Sequence, residues 1–259
     1  MNEALFIAAT GMHAQQTQVD TIANNLANMG TVGFKKSRVA FEPLMPRSLA
    51  PIDVPTGAPA SSSFKGMGVA VPSITADFSA GEMKQTQREL DIAIRGKGFF
   101  EVELPDGSRA YSRHGALNVN DSGILVTSAG LPLTAAIQLP SDAESIVIGN
   151  DGRVRAKQTD IEEMLDVGTV ELAQFVNEAG LKPVGDNLYV ATDASGDALQ
   201  TLAGENGAGT IVQGYLEASN VEMVEELTNL MVAQRAYEAN SKVLQAADEL
   251  LGIVNNLRR

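Results

Sequence analysis

The sequence predicts an α+β protein: N- and C-terminal helices forming a coiled-coil core domain, with a central, mainly antiparallel β domain and an extended arm. Three observations predict it. Apolar residues recur every seven positions at both ends of the chain, short β-prone runs alternate with turn signals through the middle, and a proline-rich stretch separates the first helix from that middle. The implied division is 1–35 with 215–259 as one discontinuous helical domain, 36–90 as arm and connecting segment, and 91–214 as the β domain.

At the N-terminus Leu5, Met12, Val19 and Leu26 repeat at heptad spacing, with Ala8, Gln15, Ile22 and Met29 three positions behind. That is an a/d seam. The helix runs from Asn2 to about Asn28 and stops at Asn28-Met29-Gly30, where residues tolerant of left-handed backbone end helices. Between Pro43 and Pro72 lie Pro46, Pro51, Pro55 and Pro59 and the run Ser61-Ser62-Ser63. Proline lacks a backbone donor and disfavours helix, so this stretch reads as an extended arm or as a flexible linker; as an arm, it would offer Pro46, Leu49, Ile52, Val54 and Phe64 as footholds on a neighbouring subunit.

Expected strands then follow at 91–94, 99–104, 124–127, 145–148, 169–176 and 187–191. Between them stand Pro105-Asp106-Gly107, Asn120-Asp121-Ser122-Gly123, Asn150-Asp151-Gly152 and Ala194-Ser195-Gly196-Asp197. Residues 160–165 could form one helical turn. The last helix opens on Ser219-Asn220-Val221-Glu222, which fits the Ser-x-x-Glu capping box. Met223, Leu230, Tyr237, Leu244 and Leu251 carry its heptad repeat, joined by Ala233, Ala247 and Val254. A lone amphipathic helix cannot bury such a seam, and isolated helices are marginal in water. The two ends must pair with each other or with other chains.

Composition removes several function classes. With 32 acidic against 19 basic residues the net charge is −13, which disfavours phosphate backbones and anionic lipid. Cysteine is absent, so thiolate metal sites, disulfides and cysteine nucleophiles are excluded. No apolar run reaches the ~18 residues of a membrane span. The first basic residue is Lys35, so a Sec-type signal is not expected.

Chemistry-bearing patterns are equally sparse. There are two histidines. His13 falls beside the first seam and His114 in a predicted surface hairpin, and neither forms a ligand pair. Gly96-Lys97-Gly98 resembles a phosphate loop but leads into another strand rather than a helix N-terminus. Glu162-Glu163 and Glu225-Glu226 are neighbours in sequence that do not face one another on a helix. No catalytic, cofactor-binding or metal-ligating residue is expected.

Four groups of residues nevertheless form recognisable motifs. The first is Ala23-Asn24-Asn25-Leu26-Ala27-Asn28 with Thr31 and Gly33-Phe34-Lys35. The second is Asp91-Ile92-Ala93-Ile94 with Gly96, Gly98, Phe99 and Phe100, and the third Tyr111, Arg113, Gly115, Gly123 and Leu125-Val126-Thr127. The fourth joins 214–221 (Gly-Tyr-Leu-Glu-Ala-Ser-Asn-Val) to Gln234-Arg235-Ala236-Tyr237-Glu238 and Asn240-Ser241-Lys242. With them the chain resembles the flagellar axial proteins, over almost its whole length. Gly30 and Val32 stand where Ser and Asn are usual, and Phe6 where Trp is common.

Within that family the short central region and the arm favour a distal rod member over proximal rod or hook subunits. The resemblance implies helical polymerisation into a hollow, rigid shaft that transmits motor torque to the hook, with no enzymatic activity and no cofactor. Its implied partners are further copies of the chain, proximal rod and hook subunits, the bushing rings of the periplasm and outer membrane, and the flagellar type III export apparatus. The implied location is the basal body, where the rod crosses the periplasm. Leu5, Met12, Val19, Ile22, Asn24, Asn25, Leu26, Asn28, Leu230, Tyr237, Leu244 and Leu251 are the expected assembly interface. Two other classes compete: a secreted β-rich binding module dimerised by its helices, and a carbohydrate-cleaving enzyme using Glu162, Glu163 or Asp106.

Overall fold

The computed structural model describes residues 2–44, 67–135, 137–140, 142–158 and 164–257. The chain divides into two compact units. The first comprises Met1–Leu26, Ser37–Thr75 and Met223–Arg259, the second Ala27–Lys36 and Ala76–Glu222.

The first unit holds helix α1 (Asn2–Ala27), strands β1 (Ser37–Pro43) and β2 (Val69–Ala76), and helix α2 (Met223–Leu257). The strands pair into a two-stranded ribbon. Its outer end is closed by the Leu44 amide donating to the Gly68 carbonyl at 2.9 Å. Helix α1 ends one residue before the expected Asn28.

Among its described residues the second unit holds β-strands and one 3₁₀ turn at Glu178–Gly180. Its strands are β3 (Met83–Gln85), β4 (Ile92–Arg95), β5 (Phe99–Glu103), β6 (Arg109–Ser112), β7 (Leu117–Val119), β8 (Leu125–Thr127), β9 (Ala143–Ile148) and β10 (Arg153–Gln158). There follow β11 (Leu165–Thr169), β12 (Glu171–Gln174), β13 (Lys182–Gly185), β14 (Leu188–Val190), β15 (Leu199–Leu202), β16 (Thr210–Gln213) and β17 (Tyr215–Glu217). A six-stranded sheet in the order β13-β14-β6-β5-β12-β15 forms the centre. A three-stranded sheet β11-β10-β9 and the pairs β16-β4, β17-β3 and β7-β8 complete the unit. All these pairings are antiparallel.

Side-chain alternation explains why the central sheet is hydrophobic on both faces. Phe100, Ala110, Leu172 and Leu188 point into one core with Ile92, Leu117, Leu125, Val154 and Ile211. Their strand neighbours Phe99, Tyr111, Ala173 and Tyr189 point into a second, aromatic core with Phe175 and Phe78. A strand covered on both sides reads as a continuous apolar run rather than an alternating one. In the aromatic core the rings of Tyr111 and Phe175 meet edge to face at 4.8 Å, as do Phe78 and Tyr189 at 5.0 Å.

Turn chemistry fits the connections. Gly107 takes φ +81° between β5 and β6, beside Asp106, whose carboxylate accepts from the Ser108 amide at 2.8 Å. The two-residue β13–β14 connection, Asp186-Asn187, holds both residues at positive φ (51° and 57°), the requirement of a type I′ hairpin turn.

Four expectations are corrected. Helix α2 begins at Met223, not at Ser219. The Ser219 hydroxyl accepts from the Val221 amide at 3.3 Å and Asn220 is engaged elsewhere, so 219–222 is held extended and the capping box does not form. The expected strand 169–176 splits between two sheets, because the Val170 amide turns to the Gly152 carbonyl at 2.8 Å. The described parts of 36–90 contain β1, β2 and β3 rather than arm alone, and Pro46, Leu49, Ile52, Val54 and Phe64 lie outside the described residues. Leu165 opens β11; the rest of the expected helical turn, apart from Met164, lies outside the described residues.

Candidate assembly interface

In the first unit the two helices meet with small residues between them. A Cβ on Gly11 would stand 2.9 Å from Asn240 Nδ2, so Gly11 abuts Asn240 directly. Nearer the other end, Asn25 Nδ2 donates to Glu226 Oε2 at 3.4 Å. From 11 to 25 on α1, the facing position on α2 moves backwards from 240 to 226, fourteen residues on each helix. The helices therefore run antiparallel, with contacts two heptads apart on one shared face. Ala8, Ala14, Thr21, Ile22 and Asn25 are buried on α1, and Glu226 and Ala233 on α2. Short side chains at the crossing permit close approach of the axes.

Asn25 also fixes where the ribbon begins. Its Nδ2 donates to the Ser37 carbonyl at 2.9 Å and its Oδ1 accepts from the Ser37 amide at 2.8 Å. One amide side chain thereby satisfies both backbone groups of the residue opening β1, which a carboxylate or an apolar side chain cannot do.

The side of α2 facing away from α1 carries apolar side chains as well. Val224 is 78% exposed, and Leu227, Met231, Val232, Val243, Leu250 and Ile253 are exposed along the same side of the helix. Arg235, Glu238, Lys242 and Glu249 are exposed among them, so this side is a mixed surface with apolar side chains left for another surface to cover. Of the residues expected at the interface, Ile22 and Asn25 are buried, and Leu5, Met12, Val19, Leu26, Asn28, Leu230 and Leu244 are half-buried. Asn24 and Tyr237 are exposed, and the side chain of Leu251 lies outside the described ones.

In the second unit sequence reasoning missed the most buried ionic group. Glu217, 1% exposed, receives Lys35 Nζ at 2.5 Å on Oε1 and Arg113 Nη1 at 3.4 Å on Oε2. The Gly81 amide adds a bond to Oε1 at 2.9 Å. Lys35 and Arg113 are themselves 1% and 3% exposed. Lys35 also donates to the Ser79 carbonyl at 2.7 Å, and Arg113 Nη2 to the Gly96 carbonyl at 2.8 Å while its guanidinium lies over the Phe99 ring. Burial pushes the Lys35 ammonium below its usual range, opposed by the facing carboxylate. All three residues stood in recognised motifs, but no spacing rule links positions so distant in sequence.

His114 is half-buried, not in the surface turn expected for it. It lines a polar cavity of about 400 Å³ with Asn28, Thr31, Ser112, Asp186 and Asn187. Burial pushes its imidazole below the ordinary value near 6.5. The carboxylate Asp106 sits on an exposed turn, held below its usual range by the Ser108 hydroxyl, and Glu162 and Glu163 lie outside the described residues. Among the described residues no three His, Asp or Glu side chains gather as a metal site, and no helix is long and apolar enough to cross a membrane.

Comparison with known proteins bears on the helices first. Residues 5–35 match the family model described as flagella basal body rod protein, and 212–257 the flagellar basal body rod FlgEFG protein C-terminal region. Between them, 93–156 match the D1 domain of the flagellar hook protein FlgE/F/G. The chain is 43% identical to the flagellar basal-body rod protein FlgG of Agrobacterium fabrum, over 97% of this chain and 98% of that protein. It is 42% identical to the protein of the same name from Borreliella burgdorferi over the full length of both. It is 30% identical, again over the full length of both, to the flagellar hook-basal body complex protein FlhP of Bacillus subtilis.

Proposed function

Because the chain belongs to the flagellar basal-body rod proteins of FlgG type, structural subunits rather than enzymes, we propose that it builds the distal rod, a hollow shaft carrying motor torque to the hook. The observation that carries this reading is the full-length identity of 42–43% to proteins named as basal-body rod FlgG, against 30% to a hook-basal body complex protein. The exposed apolar side chains of α2 support it, because a helix pair that leaves them uncovered gains its remaining stabilisation only from further copies. On this reading the terminal helices form a coiled-coil core, with Leu5, Met12, Val19, Leu26, Leu230, Tyr237, Leu244 and Leu251 among its interface positions. Heterologous contacts of this kind do not close and so propagate a helical polymer. In place of the division at 1–35 with 215–259, 36–90 and 91–214, the core with its arm then corresponds to the unit Met1–Leu26, Ser37–Thr75 and Met223–Arg259, and the outer domain to Ala27–Lys36 with Ala76–Glu222.

The partners of this reading are proximal rod and hook subunits, the bushing rings and the type III export apparatus. The arm residues Pro46, Leu49, Ile52, Val54 and Phe64 brace neighbouring subunits against sliding. The test is to express the chain in a bacterium deleted for its own FlgG-type subunit and to image isolated basal bodies. Straight rods continuous with the hook are expected, and a chain lacking residues 47–63 should give rods that bend. Rods ending before the hook would overturn the distal assignment; straight, stiff rods from the shortened chain would overturn the bracing role.

A further inference from the structure

Besides the ribbon's own connections at 36/37 and 75/76, torque that enters through the helices reaches the β unit along two stretches of peptide. These are 27–36, leaving α1, and 215–222, leading into α2. Such crossings are by default flexible, and 28–33 is a run of turns containing Gly30 and Gly33. Here both are immobilised at one place. The Gly33 amide donates to the Glu217 carbonyl at 2.8 Å, so the two crossings touch backbone to backbone. Gly33 holds φ +70°, and a Cβ there would fall 2.8 Å from the Arg113 carbonyl carbon, so no other residue fits without displacing that backbone. One residue after Lys35 on the first crossing, and three before it, the backbone is held again. The Lys36 amide donates to Asn220 Oδ1 at 2.8 Å, and Asn220 Nδ2 donates to the Asp77 carbonyl at 2.8 Å and to Ser79 Oγ at 2.9 Å. Asn187 Nδ2, from the tight β13–β14 turn, holds the Val32 carbonyl at 3.1 Å.

We propose that Glu217, gripping Lys35 and Arg113 at the point where both crossings meet, is the centre of a load-bearing joint that makes the two chain connections stiff in torsion. The inference rests on the rod reading above. A buried carboxylate suits the task because its bonds to two cations and an amide are charge-assisted, directional and sheltered from screening by salt. Apolar packing alone would resist separation but not rotation, since it has no preferred direction. Each cation is anchored a second time, Lys35 on the Ser79 carbonyl and Arg113 on the Gly96 carbonyl, so a twist at either crossing is passed to the backbone of two further segments.

The joint is tested first by native-state hydrogen exchange on the full-length purified chain. Glu217→Gln keeps the shape and removes the charge. The Gly33, Lys36 and Gly81 amides should then exchange at least about tenfold faster, with the amides of Phe99–Glu103 unchanged. A uniform rise across the unit, or no rise at the crossings, would overturn the proposal. Asn220→Ala removes a neutral anchor and leaves no charge unpaired, so it serves if the first variant fails to fold. It should free the Lys36 amide alone, and an unchanged Lys36 amide counts against the joint. Secondly, in the rod-deleted host, cells carrying either variant should assemble rods and swim in dilute medium but lose speed steeply as viscosity is raised. Variant rods that carry load like the unaltered chain would overturn the joint. If the unaltered chain itself builds no rod, the rod reading fails while the exchange result still decides whether the crossings are locked.

Discussion

Single side chains in this protein divide into those that pack and those that lock. Ala233 and Ile22 fill space between helices, whereas Asn25, Asn220 and Glu217 each bond to groups from two or more segments. The second class includes groups that cannot be replaced by anything of similar size without leaving a buried partner unpaired. His114 gives a pH-dependent reading of the same principle. Its pKa in the folded chain lies below that in the unfolded chain, so between the two values the unfolded state binds more protons. Stability conferred by His114 is therefore full above about pH 6.5 and falls as the solution is acidified through that window. Thermal unfolding at pH 7.5 and 5.5 should show a smaller acid-induced drop in His114→Gln than in the unaltered chain. Equal drops would mean that this imidazole titrates freely.

At the scale of elements, α2 has two sides with different duties, and substitutions on them should separate folding from assembly. Ala233, 1% exposed, faces α1, so Ala233→Asp should destabilise the helix pair of the free chain by about 3 kcal/mol or more. Val232 is exposed one position away, so Val232→Asp should leave the thermal unfolding of the free chain unchanged and abolish polymerisation. Circular dichroism of the monomer and sedimentation of the polymer distinguish the two; a polymer built from Val232→Asp subunits would show that this side faces solvent in the rod. Leu244 is half-buried four residues beyond Asn240, so an acid there should impair both. Of the heptad positions read from the sequence, Ala8, Ile22 and Ala233 are buried, and the larger Leu5, Met12, Val19, Leu26, Leu230 and Leu244 are half-buried. Gly11 and Ala14, which complete the line on α1 that meets α2, are small residues that a search for large apolar side chains passes over.

Over the whole molecule, the boundary between helical ends and β unit lies further towards the termini than the heptads suggest. Removing 1–35 and 215–259 would take Lys35, Glu217 and β17 away from a unit they complete, leaving Arg113 buried without its carboxylate. A chain trimmed to 27–222 should retain a cooperative β transition in circular dichroism. One trimmed to 36–214 should be less stable by about 3–5 kcal/mol, the cost of breaking a buried ion pair from one side. Equal midpoints and slopes in urea for the two would show that the ionic cluster adds nothing to the unit's stability.

What the sequence determined by itself was everything governed by local or periodic rules. The heptads placed α1 to within one residue of its end, and turn pairs such as Asp106-Gly107 and Asp151-Gly152 located hairpins, because backbone preference acts over a few residues. Strands such as β10, with its alternating buried and exposed residues between charged side chains, and β13, closed by the less usual Asp186-Asn187 turn, escaped it because their stability comes from partners rather than from their own propensity. The tertiary structure alone decided that the 169–176 run would split, that 219–222 would stay extended against Lys36 and Asp77, and that one glutamate would gather two cations from segments far apart in the chain. The physical reason is common to all three. Buried polar groups must be satisfied wherever the fold brings them, and that demand is set by which segments meet in space, not by which residues are neighbours in sequence.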